Sequence, residues 1–323
     1  MAYKLDPAAP LDAEFRRIAG ELLRKAEQGL GSDEGDRNEA IHDARKRLKK
    51  LRGLLRLVRD AKPAFHAKEN ARYRDLARSL SGARDLGALV ESLDKLEAHY
   101  ADEMATDVFG QVRQKLVERR DAAMAEDLGP AVETVRRSLG GARRELDGFV
   151  IGRKNKAGDA AELVARGFAR TYGRGREALA AARKARDVDS FHELRKRAKY
   201  HWMHLKLIAP LWPEAMAPLA AAGKEIADGL GLDHDYAVMR QHIAAEPDAF
   251  GSPRELAVLV ALIDRRQTEL RETALETARR LFADDPAGVE TRVKRLYRAG
   301  EARASRNPAA PVASPLEVLR RAG

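Results

Sequence analysis

Cysteine is absent from the 323 residues. That excludes disulfides and thiolate chemistry, and it suits a reducing compartment such as the cytoplasm. Aromatic residues are scarce at 5%, too few for rows of rings on which nucleobases stack. No apolar run approaches the roughly 20 residues of a membrane span, so no membrane partner is expected. The first residues, MAYKLDPAAPLDAEF, lack the apolar core of a secretory signal. No stretch alternates apolar and polar residues, so no sheet is expected. Phosphate-loop and metal signatures are missing too. Gly223-Lys224-Glu225 lacks the upstream glycine spacing and the Ser/Thr of a P-loop, and His192-Glu193 is not followed by a zincin histidine. His201 and His204 stand three apart without a zinc pattern around them. No serine nucleophile stands beside a plausible base, and no carboxylate cluster suits a metal. The expectation is therefore no cofactor, no metal, no catalytic residues and no enzyme.

What is present is charge. Charged residues make up 34% of the chain, with 60 Lys plus Arg against 50 Asp plus Glu, for a net charge of +10. That balance favours a polyanionic partner. The abundance of Ala, Leu, Arg and Glu is that of an all-helical protein.

The charge is concentrated in one pattern that occurs twice. In IHDARKRLKKLRGLLRLVR, starting at Ile41, a helix at about 100° per residue places His42, Arg45, Lys46, Lys49 and Arg56 on one face. Ile41, Ala44, Leu48, Leu51, Leu55 and Val58 share the opposite face, and the run of arginines continues through Arg52. In FHELRKRAKYHWMHLKLI, starting at Phe191, His192, Arg195, Lys196, Lys199 and Lys206 form the stripe. Phe191, Leu194, Ala198, Leu205 and Ile208 form the buried side. The match continues at a constant offset of 150: Pro63 with Pro213, Leu76 with Ile226, Ala77 with Ala227, Leu80 with Leu230 and Asp85 with Asp235. We read this as an internal duplication.

Most charge runs are solvated helix faces. These differ because like charges recur at i,i+4 with only Asp43 or Glu193 beside them, which opposes helix formation by a few tenths of a kcal/mol per pair. Repulsion of this kind, present twice, suggests that a bound anion supplies the missing charge. His42 and His192, expected in the first turn beside cations, are expected to be neutral, or protonated only when a phosphate is bound; an ordinary packing or capping role is the alternative. The acidic residue of each His-Asp pair is expected to serve as a cap or as a partner for a nearby arginine.

Along the chain, residues 1–10 hold two prolines and read as a leader. Helices are expected over Leu11 to Leu30, from about Asp36 to Ala61, over Ala64 to Leu80 and from Ala83 to about Tyr100. Two more are expected over roughly Ala105 to Asp127 and Pro130 to Leu146. Residues 147–158 are the best boundary between halves, 11–150 and 151–299. The second half repeats the plan over Asp159 to Arg186, where Gly173 and Gly175 make a kink conceivable, and over Val188 to Ile208. After Pro210 to Pro213 a helix is expected to end near Gly229 and another to start at Leu232. Ser252-Pro253 opens a long helix to Phe282, Pro286 breaks it, and a last helix covers Val289 to Ala299. Residues 300–323 read as a largely flexible tail with a short helix at Leu316 to Arg321. Arg17 and Arg24, seven apart, share a face of the first helix.

The pattern His-[Asp/Glu]-x-Arg-Lys-Arg-x-x-Lys, present twice in a duplicated helical chain, resembles the CHAD family of conserved-histidine α-helical domains. Arg84-Asp85-Leu86 and His234-Asp235-Tyr236 follow the two copies, and Arg170-Thr171-Tyr172-Gly173-Arg174-Gly175-Arg176 precedes the second. The resemblance covers about residues 11–299. It implies an all-α fold of two pseudo-symmetric four-helix bundles whose basic faces meet at a central cleft. It also implies binding of inorganic polyphosphate and association with polyphosphate granules. Helical phase, spacing and the resemblance together nominate His42, Arg45, Lys46, Lys49, Arg52, Arg56, His192, Arg195, Lys196, Lys199 and Lys206, with Arg170, Tyr172, Arg174 and Arg176 of the second half and Arg17 and Arg24 of the first. Two departures stand out: the second copy gives way to His201, Trp202, Met203 and His204, and histidine at position 234 replaces the arginine at 84. A helical nucleic-acid-binding protein shares the electrostatic footprint and is the alternative. The stripes, however, lack the Asn and Gln that read base edges.

Overall fold

The computed structural model describes residues 3–32, 37–80, 82–103, 108–125, 128–151 and 159–306. Among these there is no strand, and the chain is all-helical. In order the helices are α1 (Leu11–Leu30), α2 (Arg37–Leu57), α3 (Pro63–Ser79), α4 (Gly82–His99), α5 (Gly110–Ala125), α6 (Gly129–Asp147), α7 (Ala160–Ala185), α8 (Val188–Ile208), α9 (Pro213–Ala245), α10 (Pro253–Leu281) and α11 (Pro286–Arg306).

Local chemistry accounts for many of these limits. Pro63, Pro213, Pro253 and Pro286 each open a helix, where a missing N–H costs nothing. Asp187 caps α8 by accepting from the Ser190 N–H at 2.8 Å. Ser252 and Glu255 form a reciprocal capping box at the start of α10. α7 stops at Arg186, whose φ of 54° is left-handed, an uncommon conformation for a residue with a Cβ.

The structure departs from the sequence reading in three places. First, α9 runs unbroken through Gly229 and Gly231. A helical glycine weakens a helix by about 1 kcal/mol, and tertiary packing holds this one intact: Leu230, between the two glycines, is fully buried, and Gly231 lies under the Arg195 guanidinium. Second, α7 continues through Gly173 and Gly175. A Cβ at Gly175 would fall 2.4 Å from the Phe282 ring, so this glycine admits an aromatic side chain. Third, residues 3–10 are packed against the body. Leu5 is in the core, its N–H donates to the Leu207 carbonyl at 2.8 Å, and the Tyr3 hydroxyl donates to the Lys50 carbonyl at 2.8 Å. The expected tail from residue 300 overlaps α11, which continues to Arg306; residues 307–323, with the expected short helix, lie outside the described residues. So do residues 152–158 of the expected boundary.

Helix packing repeats along the chain. α1 packs on α2 and α6, and α7 packs on α8 and α11; α2 packs on α3, and α8 on α9. The buried positions of α2 and α8 coincide at an offset of 150: Ile41, Ala44, Leu48, Leu51, Leu55 and Val58 against Phe191, Leu194, Ala198, His201, Leu205 and Ile208. The apolar interior forms three clusters. One joins α1, α2 and α6 to the start of α7 and the end of α8. A second joins α4 and α5 to the end of α9 and the start of α10. The third lies within α7, α8, α9 and α10.

Candidate anion-binding site

α2 and α8 cross at Gly53. A Cβ there would stand 3.1 Å from Met203 Sδ, so the two backbones approach closely. The buried His204 marks the same point, its Nε2 lying 2.9 Å from the Gly53 carbonyl oxygen; the nitrogen donates and the carbonyl accepts. This crossing sets one cationic stripe beside the other.

The clearest sign is Lys49. Its ammonium is brought down to about 8, by burial first and then by Lys199, Arg45 and Arg195. Lys199 is lowered in turn by burial and Arg195, with Asp228 and Asp235 opposing. Four cations from two helices thus share one neighbourhood. Around them stand few carboxylates. Asp85 takes Arg45 Nη2 at 3.0 Å. Asp235 is pushed up by burial although Arg195 holds it down, and it accepts from Ser92 Oγ at 3.3 Å. The Arg195 Nε is buried without a hydrogen-bond partner among the described residues.

The histidine at the head of the second stripe is neutral at pH 7. Burial, then His234 and Arg195, lower His192 to about 4. Its ring lies 4.3 Å from that of His234, and the Nδ1 atoms of both are buried without a partner among the described residues. His234 therefore joins the site from α9, the position at which the first copy has arginine. His42 and His192 stand on the second turns of α2 and α8, beyond the reach of a capping role.

The repulsion read from the sequence is relieved more than expected. Asp43 pairs with Lys46 at 3.5 Å and Arg47 at 2.9 Å. Glu193 pairs with Lys196 and Arg197 in the same way. Lys46 and Lys196 are therefore outer members of the stripes, each tied to the acid one turn earlier.

At the far end of α2, Arg52 Nε and Arg56 Nη1 both donate to Asn70 Oδ1 at 3.2 Å. The Arg56 guanidinium lies 3.7 Å from the Tyr200 ring centroid. Burial, with Arg52, Arg197 and Arg174 nearby, lowers Arg56 to about 10 although Tyr200 opposes this. Arg174 on α7 is lowered by burial and then by Arg197 and Arg59. Lys206, by contrast, is exposed and lies over the Trp202 ring at 5.1 Å.

The remaining nominated residues are engaged elsewhere. Arg170 grips Asp60 with two bonds of 2.6 Å. The Tyr172 hydroxyl is buried and accepts from the Asp284 N–H at 2.8 Å. Arg176 donates to the carbonyls of Ala283 and Asp284. Arg17 binds Glu14 and the Lys4 carbonyl, and Arg24 binds Gln28 at 2.7 Å. These two line a depression between α1 and α6, apart from the α2–α8 crossing. Among the described residues no group of three or more His, Asp or Glu is placed to hold a metal, and no helix is long and apolar enough to cross a membrane.

The CHAD domain model matches residues 19–244. The chain belongs to the CHAD domain family. The crystal structure of the CHAD domain from the plant Ricinus communis shares the fold at a TM-score of 0.61 and 18% identity, covering 88% of this chain and 95% of that one. No curated protein matches the chain. The CHAD match stops near the end of α9, and the structural likeness extends beyond it. Sequence reasoning missed Arg59, His66, Asn70, Arg197 and Tyr200 of this CHAD domain, which line one cavity with Arg56 and Arg174. Arg197 was visible inside the motif, one step off the stripe. His66 and Asn70 carried no signal because only the fold brings α3 to the end of α2.

Proposed function

We propose that this CHAD protein is a non-enzymatic binding module for inorganic polyphosphate, held by the facing basic sides of α2 and α8. The observation that carries this reading is the shared neighbourhood of Lys49, Lys199, Arg45 and Arg195. Desolvation and the neighbouring cations disfavour the charged forms of Lys49 and Lys199 unless an anion is present. A linear polyphosphate has about one negative charge per phosphate and no bases, so it needs guanidinium and ammonium groups on rigid supports and no stacking platform. The aromatic rings near the stripes are already engaged: Tyr200 lies against Arg56 and Trp202 against Lys206. In a cell that stores polyphosphate, the protein is expected in the cytoplasm on the granules.

The test is retention on immobilised long-chain polyphosphate compared with single-stranded DNA of matched charge, across a salt series. Polyphosphate is expected to hold the protein to higher salt. Equal or better retention on DNA would move the reading to nucleic acid. Metal-dependent release of phosphate from the polymer by purified protein would overturn the absence of catalysis.

A further inference from the structure

The cavity at the end of the α2 stripe is unlike the rest of the site. It has a volume of about 410 Å³ and lies between α2, α3, α7 and α8, room for roughly a dozen waters' worth of liquid. Arg56, Arg59, Arg74, Arg170, Arg174 and Arg197 line it. Three of these are balanced by carboxylates: Arg170 by Asp60, Arg74 by Asp75 and Arg197 by Glu193. Among the described residues Arg56, Arg59 and Arg174 have no ion-pair partner. His66 also lines the cavity, with its Nε2 buried and lacking a hydrogen-bond partner among the described residues.

The positions that build this cavity are not repeated. At the offset of 150, Arg59 becomes Ala209, His66 becomes Met216 and Asn70 becomes Ala220. In α1 and α7 the buried positions coincide at an offset of 149, as in Phe15 with Val164 and Leu22 with Thr171. In that register Arg170 and Arg174 stand where α1 has Glu21 and Lys25. A polymer lying across two facing stripes meets similar cations on both sides, but among the described residues the α2 end of its track opens on a pocket of unbalanced guanidinium groups that has no counterpart at the repeated positions.

A linear phosphate chain has one group that suits such a pocket. Interior phosphates carry one charge each. The terminal phosphate has a second ionisation near pH 6 and carries close to two charges at neutral pH, with three free oxygens. Guanidinium forks bind such groups bidentately. Resting on the polyphosphate reading above, we propose that the Arg56–Arg59–Arg174 pocket captures the terminal phosphoryl group of a linear phosphate chain, so that this CHAD domain binds chain ends and the polymer runs from the pocket along the stripes. A free short oligophosphate presents the same group.

Three ligands and two variants test this by calorimetry. Linear triphosphate and cyclic tetrametaphosphate have similar total charge, but the ring has no terminal phosphate. The wild-type protein is expected to bind the linear compound about tenfold more tightly. In the Arg59→Gln/Arg174→Gln double variant the two are expected to bind within about threefold. In Arg195→Gln/Lys199→Gln the linear preference is expected to persist while long-chain affinity falls. Long chains with esterified ends are expected to bind the wild type more weakly than unmodified chains. That comparison separates chain ends from free oligophosphates as the pocket's source of ligand.

The proposal is overturned if wild-type protein shows no preference for the linear compound, a comparison that needs no variant to fold. It is also overturned if the preference survives in the Arg59/Arg174 double variant. Failure of the broader reading looks different: long-chain polyphosphate would bind no more tightly than triphosphate, while the linear preference and its loss in the double variant would remain.

Discussion

Lys49 makes the site measurable in solution. Its pKa falls from 10.5 to about 8 in the folded protein, through burial first and then Lys199 and its arginine neighbours. Between these values the unfolded chain binds more protons than the folded one, so stability rises with pH across that window. Below pH 8 the penalty is fully present. Lys49→Met is therefore expected to raise stability at pH 7 by about 1–3 kcal/mol and to flatten the rise between pH 8 and 10. Urea unfolding of both proteins at pH 7 and pH 10 checks this. Polyphosphate affinity should move oppositely, weakening above pH 8 as the ammonium is lost. Gly167 is the other residue whose role is sharply defined. A Cβ there would lie 2.4 Å from the Leu57 carbonyl oxygen, and backbone cannot swing away as a side chain can. Gly167→Ala is expected to cost about 1–3 kcal/mol, seen as a lower urea midpoint, because α7 must back away from the end of α2.

The packing of α8 depends on histidines that must stay neutral: His204 lies against α2 at Gly53, and His201 lies against Phe168, Tyr172 and Phe282. Burial lowers His201 to about 3 and His204 to about 4. The unfolded chain takes up protons near pH 6.5 and the folded chain does not until far lower. Stability is thus intact above pH 6.5 and lost as pH falls toward 4. Thermal unfolding followed between pH 7 and 4.5 is expected to show this loss, and it should be smaller in His201→Leu, the residue type that the first copy has at position 51. At the start of α10, Ser252→Ala removes the hydroxyl that accepts from the Glu255 N–H while the backbone N–H of position 252 can still donate to the Glu255 carboxylate, and it is expected to cost about 1 kcal/mol, read from the thermal midpoint. Elements of this kind were largely legible beforehand. The apolar register gave α8 its observed limits, Val188 to Ile208, and Ser252-Pro253 gave the opening of α10. α9 was not, since Gly229 and Gly231 announce a stop that packing overrides. The site was legible where helical phase decides it, as for Arg45, Lys49, Arg195 and Lys199. It was not legible where a partner decides it. Spacing put Arg17 and Arg24 on one face, but Glu14 and Gln28 on the same helix take them up. Arg170 and Arg176 turned out to hold Asp60 and the turn after α10.

On the scale of the whole molecule, the amino-terminal segment belongs to the body it precedes. Leu5 is 2% exposed and lies over the end of α8 through its bond to Leu207. Leu5→Ala is expected to cost about 2–4 kcal/mol, whereas a detachable leader would tolerate the change. Differential scanning calorimetry separates the two.

The cluster that joins α4 and α5 to α9 and α10 bears on how such a chain could have arisen and how it can be taken apart. Leu93, Leu96 and Leu116 are fully buried, and Tyr236, Met239 and Leu259 cover them from the other half. A chain ending near residue 151 would present that apolar surface to water. Leu89, Leu93 and Phe109 stand at an offset of 150 from Met239, Ile243 and Leu259 in this cluster, so two such chains could hide it by laying their α4–α5 arms face to face. If the offset of 150 records a duplication, a single-repeat ancestor is expected to have been a dimer joined through these arms, with fusion later fixing one partner beside the other. The same logic applies at the bench. Fragments cut within residues 152–158 should remain poorly folded apart and regain helical circular dichroism when mixed, with a midpoint that depends on concentration.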